Sequence, residues 1–216
     1  MGTGQRLAVT FALATTAVIL GTSTPAHGAV DRPHSLAFKV GYHWYPQSSY
    51  FDVSEENFIG GEQDFSGQSF EIFDYRYQWP SRWSVDISPV GLYYQEFVPT
   101  QTTQQSIFLH TMTITPLYRL AGSDAIGSWQ LYSGVGLGRY NANIRFDFST
   151  GGSQEYHTYT LGYLALIGTE YRYNEYTGFL LEAEYSRARI RFGSELGNLE
   201  IDVGGLTIWA GARLHF

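Results

Sequence analysis

Apolar and polar residues alternate along this chain in segments of about ten residues, and turn-forming sequences separate the segments. Between residues 36 and 44, one face carries Leu, Phe, Val, Tyr and Trp, and the other carries Ala, Lys, Gly and His. A period of two is typical of a β-strand, because successive side chains point to opposite faces. Segments with the same alternation follow at 73–79, 83–98, 108–119, 129–144, 162–173, 179–186 and 206–216. The pattern therefore predicts eight amphipathic strands.

The links between these strands alternate in length. Those near residues 80, 124 and 176 are short, and the others are mostly longer and rich in Gly, Ser, Thr, Gln and acidic residues. The longer links are at 46–67, 97–105, 145–156 and 193–198. Short periplasmic turns and longer outer loops are typical of β-barrels in outer membranes. With both ends on the periplasmic side, this arrangement requires an even number of strands.

The amino-acid composition indicates that part of the surface faces lipid. Charged residues are only 15% of the chain and aromatic residues are 17%, whereas soluble domains carry about 25% charged residues. After residue 28 we find no apolar run long enough for a membrane-spanning helix, and strands can span a bilayer only as a closed sheet. We therefore expect an all-β fold: an eight-stranded antiparallel transmembrane β-barrel with short periplasmic turns and longer outer loops.

Residues 1–28 have the features of a secretory signal peptide. Arg6 supplies the positive charge, residues 7–21 are uncharged and apolar, and Ala26 and Gly28 are small residues before the expected cleavage site. This apolar segment is shorter than the roughly 20 residues that a membrane-spanning helix needs. We expect cleavage before Ala29, which leaves residues 29–216 as one outer-membrane β-barrel domain.

Five stretches carry a more specific pattern. They are FDYRYQW (73–79), SGVGLG (133–138), IGTEYRY (167–173), LLEAEY (180–185) and LTIWAGARLHF (206–216). Together they resemble small eight-stranded outer-membrane β-barrel proteins of the OmpX/OmpW-like kind. In the last stretch Phe216, Leu214 and Ala212 match the assembly signal of that family, a terminal aromatic residue after alternating apolar positions. The resemblance implies a Gram-negative outer-membrane location and recognition by the barrel assembly machinery and periplasmic chaperones. We expect a monomer.

The inward positions of the predicted strands carry ten charged residues. The interior of an eight-stranded barrel is just wide enough for side chains to fill it, and isolated buried charges are strongly unfavourable. These charges should therefore pair, and arginine, which can bind both oxygens of one carboxylate, suits this role. The predicted lumen charge network comprises Lys39, Asp74, Arg76, Asp86, Arg119, Glu170, Arg172, Glu182, Glu184 and Arg213. It indicates a closed polar core, with a narrow ion path as the alternative.

Three arginines near the outer end of the seventh strand share one face, which alternation places outward. They are Arg187, Arg189 and Arg191. Guanidinium groups bind phosphate well, so contact with lipopolysaccharide phosphates is one interpretation. Pairing with loop acids such as Glu195 is the other, and the sequence does not separate them.

The first long loop contains five carboxylates and no basic residue among them. Ca²⁺ and Mg²⁺ prefer carboxylate oxygens, so a divalent-cation site is conceivable, but the spacing of an EF-hand is absent. A solvated loop is the simpler interpretation, and we expect no metal. The residues are Asp52, Glu55, Glu56, Glu62 and Asp64.

No residue pattern indicates catalysis or a cofactor. Some eight-stranded outer-membrane barrels acylate or deacylate lipopolysaccharide with a histidine-activated serine, but the deacylase pattern His-x-Ser-Asn is absent and the chain has no cysteine. A net charge of −7 argues against nucleic-acid binding. We expect a structural, surface-interaction or envelope-stability role in contact with outer-membrane lipid and lipopolysaccharide. The alternatives are a narrow channel for ions or small apolar solutes, a lipid A-modifying enzyme and a lipocalin-like carrier.

Overall fold

The computed structural model describes residues 32–44, 66–97, 103–148, 151–193 and 200–216, in which eight strands form a closed antiparallel β-barrel and two short strands form a separate sheet. The strands are β1 (His34–Trp44), β2 (Ser66–Gln78), β3 (Trp83–Phe97), β4 (Thr103–Gly122), β5 (Trp129–Phe148), β6 (Ser153–Arg172), β7 (Thr177–Arg187), β8 (Arg189–Arg191), β9 (Glu200–Asp202) and β10 (Gly205–His215). The ring runs β1-β10-β7-β6-β5-β4-β3-β2, and β1 pairs with β2 to close it. The predicted all-β, eight-stranded antiparallel fold is confirmed. No helix in the described ranges is long and apolar enough to cross a membrane.

Strand alternation sorts the side chains into an apolar outside and a mainly polar inside. Leu161 on β6 is 76% exposed and Leu137 on β5 is 68% exposed, whereas Asp74 and Arg213 are 0% exposed. Every barrel strand contributes at least one exposed apolar side chain, among them Phe38, Phe73, Ile87, Ile114, Leu137, Leu161, Leu181 and Leu214. The polarity is therefore the reverse of that of a soluble globular protein.

The two ends of the barrel differ. We call one the turn end: it holds the turns at 79–82, 123–128 and 173–176 and the last residue, Phe216. The opposite end, which we call the loop end, is where Trp44, Ser66, Phe97, Thr103, Phe148 and Ser153 lie at the ends of their strands. Toward the loop end many of the buried side chains are apolar, and His43, Ser186 and Thr207 are also buried there. We call the apolar ones the apolar layer: Leu109, Ala142, Ile144, Phe146, Ala188, Ile190, Phe192 and Val203.

The link predicted at 145–156 is shorter than expected. Strands β5 and β6 are 20 residues each, and their ladder continues to the pair Asp147 and Ser153. The prediction of a long link at 145–156 is therefore wrong, and the link is 149–152. Alternation continues here, with Ile144 buried and Arg145 exposed, but polar exposed positions gave the segment the composition of a loop. The link predicted at 193–198 is flanked by the small sheet of β8 and β9.

A β-bulge in β2 changes which residues face inward. Ala37 on β1 pairs with Asp74, but the next residue, Phe38, pairs with Ile72, so that Phe73 is the extra residue. Phe73 has a φ of 65°, in the left-handed region that non-glycine residues rarely adopt. Because the bulge shifts the alternation by one position, Glu71 and Asp74 are both buried although they lie three residues apart.

Candidate functional site

Eight charged side chains from six strands meet inside the barrel, and we call this set the lumen cluster. Five are carboxylates and three are bases, and none is more than 6% exposed. The members are Lys39 (β1), Glu71, Asp74 and Arg76 (β2), Asp86 (β3), Glu170 (β6), Glu182 (β7) and Arg213 (β10). A buried charge is tolerated only with partners, so the contacts of each base define the site.

Arg76 binds Asp86 through both oxygens of the carboxylate. Its Nε lies 2.5 Å from Oδ1 and its Nη2 lies 2.7 Å from Oδ2. The two residues are register partners on β2 and β3, so the ladder sets the two side chains side by side. The guanidinium carbon also lies 4.3 Å from the ring centroid of Tyr132, a cation–π contact that holds the arginine against β5.

Arg213 links three strands at the centre of the cluster. Its Nη2 lies 2.9 Å from Asp74 Oδ2 and its Nε lies 3.3 Å from Glu170 Oε2. Its Nη1 donates a hydrogen bond to Ser35 Oγ at 3.3 Å. Glu170 has a second contact on the side of the turn end, where His215 Nε2 lies 2.8 Å from Oε1.

Lys39 supplies the third base, and it is the only lysine in the sequence. Its Nζ lies 3.0 Å from Glu182 Oε2 and 3.1 Å from Asp74 Oδ2, and it also contacts Glu71 Oε2. An ammonium group is a compact charge with three donors. It therefore matches three carboxylates that converge on one point.

A hydrogen bond from an uncharged donor completes the contacts of Glu182. Tyr132 donates its hydroxyl proton to Glu182 Oε1 over 2.7 Å. The tyrosine ring fits against β6 because Gly168 has no side chain: a Cβ there would lie 2.7 Å from Tyr132 Cε2 and from Glu182 Cγ. Gly168 thus leaves room for both groups.

Seven of the ten predicted lumen residues belong to the lumen cluster, and Arg119 and Arg172 do not. Arg119 pairs with Asp124 in the turn at 123–128, and Arg172 donates to the carbonyl oxygens of Asn174 and Glu175. Both arginines sit at the turn end of their strands, where turn groups are nearer than the interior. The tenth, Glu184, is half-buried one inward position beyond Glu182, toward the loop end.

Sequence reasoning missed Glu71. The predicted second strand began at residue 73, and extending its alternation backwards from Asp74 would have placed residue 71 on the outer face. The bulge at Phe73 reverses that assignment. The available signal was a lone carboxylate between two apolar residues, Phe70 and Ile72, which is costly on a lipid-facing surface.

The three predicted phosphate-binding arginines are exposed and alternate with buried Ala188 and Ile190. Register places Arg189 opposite Asp202 and Arg191 opposite Glu200 on β9. A fourth exposed arginine, Arg139 on β5, lies with its guanidinium carbon 4.3 Å from the ring centroid of Tyr159 on β6. Arg139 pairs with Leu161, and Tyr163 pairs with Arg187, so β5, β6 and β7 form one continuous outer surface. Arg189 and Arg191 follow on β8, which belongs to the separate sheet with β9. We call the four arginines the arginine face: Arg139, Arg187, Arg189 and Arg191.

The three predicted assembly-signal residues all point outward, and Leu214 and Phe216 are more than half exposed. The Phe216 ring stacks on His34 with 5.9 Å between centroids. The predicted acidic loop (Asp52, Glu55, Glu56, Glu62 and Asp64) and the predicted signal peptide lie outside the described residues. Within the described ranges, no group of three or more His, Cys, Asp or Glu side chains is arranged to hold a metal ion.

Comparisons with known proteins identify the fold. Neisserial surface protein A matches with a TM-score of 0.59 and 15% identity, over 85% of this chain and 97% of that chain. Ail of Yersinia pestis, in complex with the heparin analogue sucrose octasulfate, matches with a TM-score of 0.50 and 18% identity, over 85% and 97%. OprG from Pseudomonas aeruginosa matches with a TM-score of 0.50 and 15% identity, over 86% and 97%. Protein-family models and curated protein sequences give no match. The chain thus has the fold of small eight-stranded outer-membrane β-barrels, as the resemblance predicted.

Proposed function

We propose that this protein is an integral outer-membrane β-barrel that acts as a structural, surface-interacting or envelope-stabilising component and has a closed interior. The observation that carries the proposal is the reversed polarity of the barrel, with exposed apolar side chains outside and buried charges inside. Such a surface is stable in lipid, and a closed ring leaves no unpaired strand edge. This location agrees with the secretory signal expected at residues 1–28.

The arrangement of the interior favours a closed barrel over a channel. In the lumen cluster the charges contact one another instead of water, and Asp74, Glu170 and Arg213 are at most 1% exposed. Toward the loop end the apolar layer follows, in which Ile144 and Ile190 are 0% exposed. An ion crossing the barrel would meet both regions, and desolvation would oppose its passage.

Planar-bilayer recording of the purified, folded protein tests the closed interior. We expect no steady conductance. A steady open state would contradict the proposal and would favour a narrow channel for ions or small apolar solutes. Mass spectrometry of lipid A from cells with and without the protein tests the absence of an enzymatic role, and we expect identical spectra. A purified protein that stays folded and soluble without detergent would instead indicate a lipocalin-like carrier.

We propose that the arginine face binds lipopolysaccharide through the lipid phosphates. Its guanidinium groups border apolar side chains, since Arg139 stacks on Tyr159 and pairs in register with Leu161. This combination suits a phosphorylated glycolipid, whose phosphates bind arginine and whose acyl chains bind apolar surface. Ail, which has the same fold, has been solved with a polyanionic sugar, sucrose octasulfate.

Copurification of lipopolysaccharide with the barrel tests this contact. We expect the variant R187Q/R191Q to retain less lipopolysaccharide after mild detergent extraction than the wild type. The variant R32Q/R82Q is the matched control, because it removes the same charge at the turn end. Competition by lipid A but not by dephosphorylated lipid A would identify the phosphates as the ligand. Equal retention by all three proteins would contradict the proposal.

A further inference from the structure

The first and last strands of the barrel, β1 and β10, meet at a line that we call the seam. Their ladder runs from the pair Ser35 and His215 to the pair Trp44 and Leu206. The two sides of the seam come from opposite ends of the barrel chain, and Ser35 and Arg213 lie 178 positions apart in sequence. Bringing distant segments together costs loop-closure entropy, so favourable contacts across the seam must offset this cost.

The charges of the lumen cluster are centred on this seam. In the ring, β1, β2 and β3 lie on one side of the seam, and β10, β7 and β6 lie on the other. All eight members of the lumen cluster come from these six strands. Strands β4 and β5, which lie opposite the seam, contribute no member. The lumen cluster is therefore placed where it connects the two ends of the barrel chain.

Each base of the lumen cluster has a carboxylate partner across the seam. Lys39 on β1 places its Nζ 3.0 Å from Glu182 Oε2 on β7. Arg213 on β10 places its Nη2 2.9 Å from Asp74 Oδ2 on β2. Arg76 on β2 lies with its Nη2 3.5 Å from Glu182 Oε1. Opening the seam would separate these buried pairs and leave charges uncompensated, which is strongly unfavourable.

Uncharged groups on β1 and β10 make further contacts across the seam. Near the turn end, Ser35 Oγ accepts a hydrogen bond from Arg213 Nη1 over 3.3 Å. Near the loop end, His43 Nδ1 and Thr207 Oγ1 share a hydrogen bond of 2.6 Å, and these two residues are register partners. Side-chain contacts across the seam therefore extend along most of β1.

We propose that these contacts form a seam clasp, which holds β1 against β10 and keeps the ring from opening sideways into the lipid. Its pairs are Lys39–Glu182, Asp74–Arg213, Ser35–Arg213 and His43–Thr207. An open seam would expose two strand edges whose backbone N–H and C=O groups find no partner in lipid. The inference goes beyond the proposed function, because the seam clasp acts whether or not the interior conducts ions.

Two glutamates that contact the same ammonium provide a matched test. E182Q removes the partner of Lys39 across the seam. E71Q removes a partner on β2, which lies on the same side of the seam as Lys39. Both substitutions keep the shape of the side chain and remove the charge of one buried carboxylate. The two variants therefore differ in whether the lost ion pair crosses the seam.

The measurement is amide hydrogen exchange of the folded barrel in detergent, resolved by residue with NMR. His34 and Phe216 exchange both backbone hydrogen bonds, so the alternation of an antiparallel ladder also directs the amides of Phe38 and Val40 to β10. We call these two the seam amides. In the cross-seam variant we expect them to exchange at least about tenfold faster than in the wild type, because a lost buried ion pair lowers the free energy of local opening.

In E71Q we expect the seam amides to exchange at the wild-type rate, because opening the seam leaves the contact between β1 and β2 intact. Wild-type exchange in E182Q would overturn the inference. Equal acceleration in E182Q and E71Q would also overturn it, since the seam amides would then exchange only when the whole barrel unfolds. The closed interior of the proposed function is tested separately, by bilayer conductance.

An uncharged pair of variants decides the question if E182Q does not fold. T207V removes the hydrogen bond to His43 across the seam. T169V is its control, because it removes a hydrogen bond of 3.0 Å from Thr169 Oγ1 to the carbonyl oxygen of Gln130, between β6 and β5. Both keep a β-branched side chain and change no charge. We expect faster exchange of the seam amides in T207V alone. Wild-type exchange in T207V, or equal acceleration in T169V, would refute the seam clasp.

Discussion

At the scale of single residues, the choice between arginine and lysine follows the geometry of the carboxylates. Arg76 faces both oxygens of Asp86 and uses its planar fork. Lys39 faces three separate carboxylates and uses a compact ammonium. These two bases are therefore not interchangeable in the lumen, although both carry one positive charge.

The central prediction at this scale concerns Glu182. The substitution E182Q keeps the shape of the side chain and removes a charge that contacts Lys39 at 3.0 Å. Breaking a buried pair leaves the partner uncompensated, so we expect a loss of roughly 3–5 kcal/mol in the free energy of unfolding. Urea titration of the barrel in detergent, followed by tryptophan fluorescence, measures this loss.

Glu175 provides the control for that experiment. It pairs with Arg32 at 3.6 Å in the turn at 173–176, where its side chain is 61% exposed. Exposed ion pairs contribute about 0–1 kcal/mol, so E175Q should unfold nearly as the wild type does. Equal urea resistance of E182Q and E175Q would show that water reaches the lumen cluster and would contradict the closed interior.

At the scale of elements, a bulge in β2 and the pairing of β10 determine how side chains are placed in the barrel. The bulge at Phe73 turns Glu71 inward, where it binds Lys39. Strand β10 closes the ring and carries the predicted assembly signal. The residue that follows it, Phe216, is held by backbone groups of β1, since Phe216 N donates to His34 O at 2.9 Å and His34 N donates to Phe216 O at 3.3 Å.

The prediction for β10 concerns Phe216. If the terminal aromatic residue is required for recognition by the assembly machinery, F216D should reach the outer membrane in much smaller amounts while synthesis is unchanged. F216Y retains an aromatic ring and serves as the control. Membrane fractionation, followed by electrophoresis of unheated and heated samples, measures the amount of folded barrel in the outer membrane. Wild-type amounts of heat-modifiable F216D would refute the assignment.

At the scale of the whole molecule, the reversed polarity makes the protein dependent on a membrane. A barrel with such an outer face needs export before it can fold in its final location. The N-terminal segment predicts export by a secretory signal peptide, because residues 7–21 have the apolar character of such a peptide and small residues precede Ala29.

Processing is the prediction at this scale. N-terminal sequencing of protein extracted from the membrane should begin at Ala29. Substituting Gly28 with a bulky residue, as in G28W, should slow cleavage and leave a longer precursor, since the site requires small residues. A mature protein that begins at Met1 would contradict the assignment of residues 1–28.

The amino-acid sequence by itself determined the fold and most of the inward charges. Alternation with a period of two is a local property, so it can be read from neighbouring residues, and it located Asp74, Arg76, Glu170, Glu182 and Arg213 on inward faces. The outward direction of Leu214 and Phe216 followed from the same rule. The terminal strand was recognisable because its apolar alternation is unbroken.

Only the tertiary structure decided which charges meet. Arg119 was predicted to be a lumen residue, but it lies at a strand end where the turn residue Asp124 is nearer. Glu71 joins the lumen cluster because one inserted residue, Phe73, reverses the alternation of β2. The convergence of Lys39 with Glu182, 143 residues apart in sequence, depends on the closure of the ring between β1 and β10. Register, bulges and closure arise from pairing between distant strands, and alternation within a single strand carries no information about them.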